Sequence, residues 1–143
     1  MVDLGMSPLC ESYLAAEQLD RMEPFYPLRV LVCAGCFLVQ ISQYVGAADI
    51  FSDYAYFSSY SDSWLEHSRK YVASMVERFN LTSRSRVVEL ASNDGYLLQY
   101  FVERGIDALG IEPAANVAAA AVSKGVPTIV KFFGQETAEE LVK

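Results

Sequence analysis

Two short stretches of this sequence hold residue types that do chemistry. The first is Cys33-Ala34-Gly35-Cys36, two thiols separated by two residues. At that spacing both sulfurs can face one point, as half of a tetrahedral zinc site or a redox pair requires. The second is Val88-Glu89-Leu90-Ala91-Ser92-Asn93-Asp94-Gly95-Tyr96-Leu97-Leu98. Here a β-branched run leads through small, turn-forming residues into an apolar run at helical spacing. A strand–turn–helix of this kind sets the N–H groups of a helix start at the end of a strand, where an anionic group is favoured. Glu112 follows Glu89 by 112 − 89 = 23 residues, at the end of the next β-branched run. An acidic side chain at that place can accept a pair of ribose hydroxyls. Gly95 is the single glycine of the turn, so the stretch is not G-x-G-x-x-G and a dinucleotide-dependent oxidoreductase is disfavoured. The competing reading is a plain strand–turn–helix with acids on its surface.

The elements needed to position these residues can be read from periodicity. Leu28 to Gln40 is a strand candidate interrupted by Cys33 to Cys36, with Pro24 and Pro27 restricting the backbone before it. The aromatics Phe51, Tyr54, Tyr56, Phe57 and Tyr60 fit neither helical nor strand spacing. A helix is expected from Ser63, with Ser63 and Glu66 as a capping box and Trp64, Ser68, Tyr71, Val72, Met75, Val76 and Phe79 on one face. Glu66 and Lys70 lie one turn apart on the outer face. The chain then breaks at Asn80 to Arg84. Strands are expected over 86–91, 108–111 and 128–132, and helices over 96–103, 114–123 and from Thr137 onward, with Pro113 in the first turn of the second of these. The order βαβαβ(α) specifies a parallel sheet with right-handed crossovers. Three strands are few for a nucleotide-binding sheet, and the sequence stops inside a helical pattern. The expectation is therefore a piece of a longer protein.

Composition bounds the class. The chain has 143 residues, 52% apolar, which is enough for a packed core. Lys plus Arg is 11 against 18 Asp plus Glu, a net charge of −7 that argues against a nucleic-acid binder. The most apolar run, Val30 to Val39, is about half the ~20 residues of a spanning helix, and no secretory signal is visible, so no membrane partner is expected. A cytoplasmic protein is the expectation, and in that setting a CxxC pair is more often a metal or redox element than a structural disulfide. Asn80-Leu81-Thr82 fits a glycosylation sequon and is read as a helix-end turn. Cys10 is read as a small buried thiol, and the lone His67 as a solvated or capping residue rather than a catalytic one.

Glu89-Leu90-Ala91-Ser92-Asn93-Asp94-Gly95, followed by Gly110-Ile111-Glu112-Pro113, resembles the class I S-adenosylmethionine-dependent C-methyltransferases that act on nucleotide-linked deoxysugars. Earlier blocks resemble the same family in matching order: Asp3-Leu4-Gly5-Met6-Ser7-Pro8-Leu9, Cys33-x-x-Cys36-x-Leu38-Val39-Gln40, and Phe51-x-x-Tyr54-x-Tyr56-x-Ser58-Ser59. The resemblance implies an α/β chain: a small zinc-ribbon-like segment followed by the first half of a Rossmann-like methyltransferase sheet. Its boundaries would be 1–50 for a partial zinc-binding module, 51–85 for the aromatic segment and linking helix, and 86–143 for a truncated cofactor-binding domain. The implied cofactor is S-adenosyl-L-methionine, held by Glu89, Ala91, Asn93, Gly95, Tyr96, Leu97, Glu112 and Pro113, with its carboxylate favoured at the helix start. Zinc would be held by four Cys in two CxxC pairs, of which only Cys33 and Cys36 are present here. Tyr56 is the implied catalytic residue, its phenol facing a keto sugar or its enolate. The family's catalytic base lies in later segments, so this chain alone is expected to be inactive. The expected partner is a nucleotide-linked sugar; a non-catalytic cofactor-binding or assembly module is the alternative, and the oligomeric state is left open.

Overall fold

The computed structural model describes residues 2–143. The chain divides into two compact units, Met1–Ile50 and Phe51–Lys143.

The first unit is built on a three-stranded antiparallel sheet of β1 (Val2–Ser7), β2 (Tyr26–Val32) and β3 (Val39–Ile41), in the order β1-β2-β3. The interrupted strand expected from 28 to 40 is a hairpin, with Val32 opposite Val39 and the Cys33–Cys36 turn at its tip. Pro27 lies in the central strand although it has no N–H to donate. It pairs with Met6, directly after the register shift between Asp3 and Met6, where the ladder is already interrupted. The strand β1 alternates apolar Val2, Leu4 and Met6 with Asp3, Gly5 and Ser7, yet its side chains are mostly exposed, and it is not among the expected strands. The short helix α1 (Ala47–Phe51) follows.

The second unit is an α/β layer. Its elements are α2 (Asp62–Phe79), β4 (Arg86–Leu90), α3 (Gln99–Val102), β5 (Asp107–Ile111), α4 (Ala115–Ser123), β6 (Thr128–Ile129) and α5 (Gln135–Val142). The strands pair in parallel in the order β4-β5-β6, with Val87 opposite Ala108 and Ile111 opposite Ile129. This is the βαβαβ order read from the sequence. The core joins Val72 of α2, Leu98, Phe101 of α3, Ile106, Ala108 of β5, Ala121 of α4 and Val126. Val87 packs against it, whereas Val88 and Leu90 on the other face of β4 are 45% and 48% exposed. Glu89 is therefore on the same face as Val87, at the end of the row that leads into the core.

Four local expectations are corrected. The cap of α2 is Ser61, not Ser63: Ser61 Oγ accepts the Trp64 N–H at 3.3 Å. Glu66 does not reach back to a cap; its carboxylate takes two bonds from Arg69, each 2.8 Å, and lies 3.2 Å from Lys70. The helix expected over 96–103 narrows to α3, because residues 95–98 are used as turns that carry the chain off β4. Pro113 precedes α4, whose flanking residue Ala114 is extended. The third strand ends at Ile129, where the Lys131 N–H turns back to the Ile129 carbonyl at 3.1 Å. The helix-end reading of Asn80 holds: it adopts φ 51 and closes α2 onto the Glu77 and Val76 carbonyls.

Candidate functional site

The parallel sheet brings the ends of β4 and β5 side by side, so Glu89 and Glu112 stand on adjacent strand ends although 23 residues separate them (112 − 89). The turn between β4 and α3 closes over them. Ala91 and Asn93 adopt φ 57 and 49, and Gly95 φ 76. A side chain at Gly95 would be strained by that φ and would also meet Val126 at 3.0 Å and Ala121 at 3.2 Å, so glycine is required there for conformation and for space. Gly110 of β5 leaves room for Ser92: a Cβ there would overlap Ser92 Oγ and stand 3.0 Å from Ser92 Cβ.

Glu112 is buried. Its Oε2 accepts the Asn93 N–H at 2.9 Å and its Oε1 accepts the Ala114 N–H at 2.8 Å. The carboxylate thus ties the β4–α3 turn to the start of α4. Each oxygen keeps acceptor capacity for a further donor. Glu89 is in a drier place. Burial pushes its carboxyl up to about 7, the Tyr96 phenol that donates to it draws it down, and the neighbouring Glu112 charge raises it further. Its Oε2 is buried without a hydrogen-bond partner. Ser92 Oγ and Asp94 Oδ1 share that condition. Unmatched buried polar atoms are uncommon in a folded chain, and three of them around one turn fit a polar ligand that would complete them.

The remaining expected residues fall around this turn. Burial and the Glu89 charge raise the Tyr96 phenol, and Asp94 and Tyr56 add to that shift. Tyr56 is thereby near Tyr96, and it is 49% exposed. Tyr96 and Leu97 also line a cleft of about 270 Å³ with Trp64, His67, Ser68 and Tyr71 of α2. The His67 ring stacks on Trp64 at 5.1 Å, consistent with a surface role. Pro113 is partly buried between Glu112 and α4.

Sequence reasoning missed the residues that hold the Tyr56 segment. Residues 54–57 form no helix or strand, so their backbone groups need side-chain partners. Asn93 supplies two: its Oδ1 accepts the Ser58 N–H at 2.9 Å and its Nδ2 donates to the Tyr56 carbonyl at 3.0 Å. Asn116 of α4 does the same for Tyr54, at 3.1 and 2.7 Å. Lys124 donates to Ser59 Oγ at 2.6 Å and to Asp94 Oδ2 at 3.0 Å, and Asp94 Oδ2 accepts the Ser59 N–H at 3.3 Å. The sequence marks both Asn93 and Asp94 as turn formers, and the resemblance assigns Asn93 to the cofactor; neither points to the Tyr56 segment, because partners 30 or more residues away leave no local trace.

In the first unit, Cys33 and Cys36 share the β2–β3 turn. The backbone N–H groups of Cys36 and Gly35 and the Cys36 side chain hold the Cys33 thiol below its usual range. That favours the thiolate a metal needs. Among the described residues no third Cys, His, Asp or Glu gathers with this pair. Cys10 is exposed, which corrects its reading as a buried thiol. The donor set therefore fits zinc by half.

Comparison with known proteins agrees with this division. Residues 1–51 match a family model described as "Putative zinc binding domain" (Methyltransf_13), and residues 69–138 match one described as "Methionine biosynthesis protein MetW". The C-methyltransferase NovU of Streptomyces niveus is 36% identical over 141 residues, covering 99% of this chain. Nearly all of this chain is thus similar to part of a C-methyltransferase. It spans about a third of the length of that curated relative, 34%. Two solved structures align at 17% identity. YjhP from E. coli gives a TM-score of 0.38 over 55% of this chain and 33% of its own. A SAM-dependent methyltransferase from Archaeoglobus fulgidus gives 0.34 over 50% and 35%. Among the described residues no helix is long and apolar enough to cross a membrane.

Proposed function

We propose that this chain is part of an S-adenosylmethionine-dependent C-methyltransferase, binds S-adenosyl-L-methionine at the β4–α3 turn and serves methyl transfer to carbon of a nucleotide-linked keto-deoxysugar. The observation that carries the reading is the pair of strand-end carboxyls, Glu89 and Glu112, enclosed by a turn that leaves three buried polar atoms without partners. When bound, the cofactor supplies an electrophilic methyl group on a sulfonium. Glu112 would accept the ribose hydroxyls with the lone pairs that the Asn93 and Ala114 amides leave free. Glu89 would meet a cationic part of the ligand, which would restore its ionised form. Ala91, Gly95, Tyr96, Leu97 and Pro113 would shape the pocket wall, with Gly95 keeping it open. The Tyr56 hydroxyl would hydrogen-bond the sugar carbonyl and support charge as it develops on that oxygen. Cys33 and Cys36 would hold zinc as two of its four thiolates, with a structural role.

Titration calorimetry with S-adenosylmethionine tests the cofactor part. Binding to the wild type and about tenfold or greater weakening in Glu112→Ala is expected, since charged hydrogen bonds are worth roughly 1.5–3 kcal/mol. Equal affinity in the variant removes Glu112 from the site. Transfer of labelled methyl to a 4-keto deoxysugar nucleotide, by a longer protein containing this chain, tests the substrate. Tyr56→Phe should lower turnover and leave cofactor affinity unchanged. Cofactor binding without transfer to any such sugar would favour the non-catalytic module.

A further inference from the structure

The ribose-side carboxylate and the Tyr56 segment meet in one residue. Asn93 is 8% exposed and makes three hydrogen bonds in two directions. Its backbone N–H goes to Glu112 Oε2 at 2.9 Å. Its side-chain amide goes to the Ser58 N–H and the Tyr56 carbonyl, as a neighbouring strand would. The backbone and side-chain bonds share one Cα, so a shift of the turn toward or away from Glu112 moves Tyr56 with it. Among the described residues no other side chain is seen to make both links. The Asn116 clasp on Tyr54 sits on α4 and is exposed, and the Lys124–Asp94–Ser59 cluster does not touch Glu112.

We infer that Asn93 is a positioning residue that couples ligand occupancy at Glu112 to the placement of the Tyr56 segment. The inference rests on the cofactor reading above and adds to it a route between the two halves of the reaction: the methyl donor is engaged on one side of Asn93 and the sugar-facing phenol is set on the other. The device does not require a large movement. Holding Glu112 fixed narrows the positions open to the turn, and through the amide clasp narrows those open to Tyr56.

Asn93→Gly separates this role from folding. Glycine accepts the φ of 49 and keeps the N–H to Glu112, while the clasp is deleted. The readout is amide hydrogen exchange on the 143-residue chain, with S-adenosylhomocysteine as the probe ligand and calorimetry run on the same samples. In the wild type the ligand should slow exchange at Ser58. In Asn93→Gly the Ser58 amide should exchange about tenfold or more faster, with bound ligand no longer slowing it. Asn116→Ala is the control: it should loosen Tyr54 yet keep the ligand effect at Ser58. Unchanged Ser58 exchange in Asn93→Gly, or equal ligand protection in both proteins, overturns the coupling while leaving the cofactor reading intact. Absence of binding to the wild type overturns the cofactor reading and the coupling together. In a catalytically active protein containing this chain, Asn93→Gly should lower kcat with KM for the methyl donor kept. Tyr56→Phe should then cost less in the Asn93→Gly background than alone, and full additivity would count against the coupling.

Discussion

Replacing Glu89 by Gln should change how stability depends on pH, and the size of the change follows from the site. Burial raises the Glu89 carboxyl from 4.5 to about 7 in the folded chain. Below about 4.5 both folded and unfolded forms are protonated and the carboxyl costs nothing. Between 4.5 and 7 the folded form holds a proton that the unfolded form has released, so stability falls as pH rises. Above 7 both are ionised and the cost is complete. The gap of 7 − 4.5 = 2.5 pH units is worth at most about 3.5 kcal/mol at about 1.4 kcal/mol per unit, and the partial solvent access of Glu89 trims this toward about 2 kcal/mol. Gln cannot ionise, so Glu89→Gln removes the slope. Its amide is left as poorly partnered as the acid, which shifts the whole curve by a constant and leaves the difference in slope untouched. The assay is denaturant unfolding at pH 5, 6, 7 and 8 followed by the fluorescence of Trp64, the single tryptophan, which stacks on Tyr96 in the same unit. Wild type should lose about 2 kcal/mol relative to Glu89→Gln between pH 5 and 8, most of it below pH 7. Parallel curves would refute the assignment of a buried, destabilised carboxyl.

Other perturbations follow from the same packing. Lys124→Met removes the cation from Asp94, whose side chain is 2% exposed, and should cost on the order of 3 kcal/mol in thermal or chemical unfolding. Gly110→Ala should force Ser92 from its place and destabilise the chain by about 1–3 kcal/mol, as overpacking does, with loss of ligand affinity measured by calorimetry. Ser61→Ala should cost about 1 kcal/mol by deleting the cap of α2, whereas Ser63→Ala should be nearly silent, the reverse of what the sequence pattern implies. For zinc, elemental analysis should find weak, substoichiometric metal in this chain. A tightly held ion that survives Cys33→Ser would take the CxxC turn out of the site.

Much of the architecture was legible because it is written in local periodicity. The βαβαβ order follows from short β-branched runs alternating with helical spacing, and the Cys33–Cys36 interruption of the Leu28–Gln40 strand candidate marks the tip of what folds as a hairpin. The two acids could be found at strand ends because the strand–turn–helix places them there whatever the rest of the chain does. Caps and ends were less legible. The sequence pattern points to Ser63 and Glu66 as a capping box, whereas Ser61 accepts the Trp64 N–H and Glu66 is engaged by Arg69 and Lys70. What only the tertiary structure decided is the chemistry of contact. Asn93 and Asp94 read as turn formers, with Asn93 also expected at the cofactor, yet their side chains satisfy backbone groups of Tyr56, Ser58 and Ser59 across 35 or more residues. Glu112 reads as the ribose acceptor, but nothing in the sequence sets the ionisation of Glu89 apart from that of Glu112. Packing gave Glu112 two backbone donors and left one oxygen of Glu89 dry, and a carboxyl's ionisation depends on donors and water, which composition and spacing do not encode.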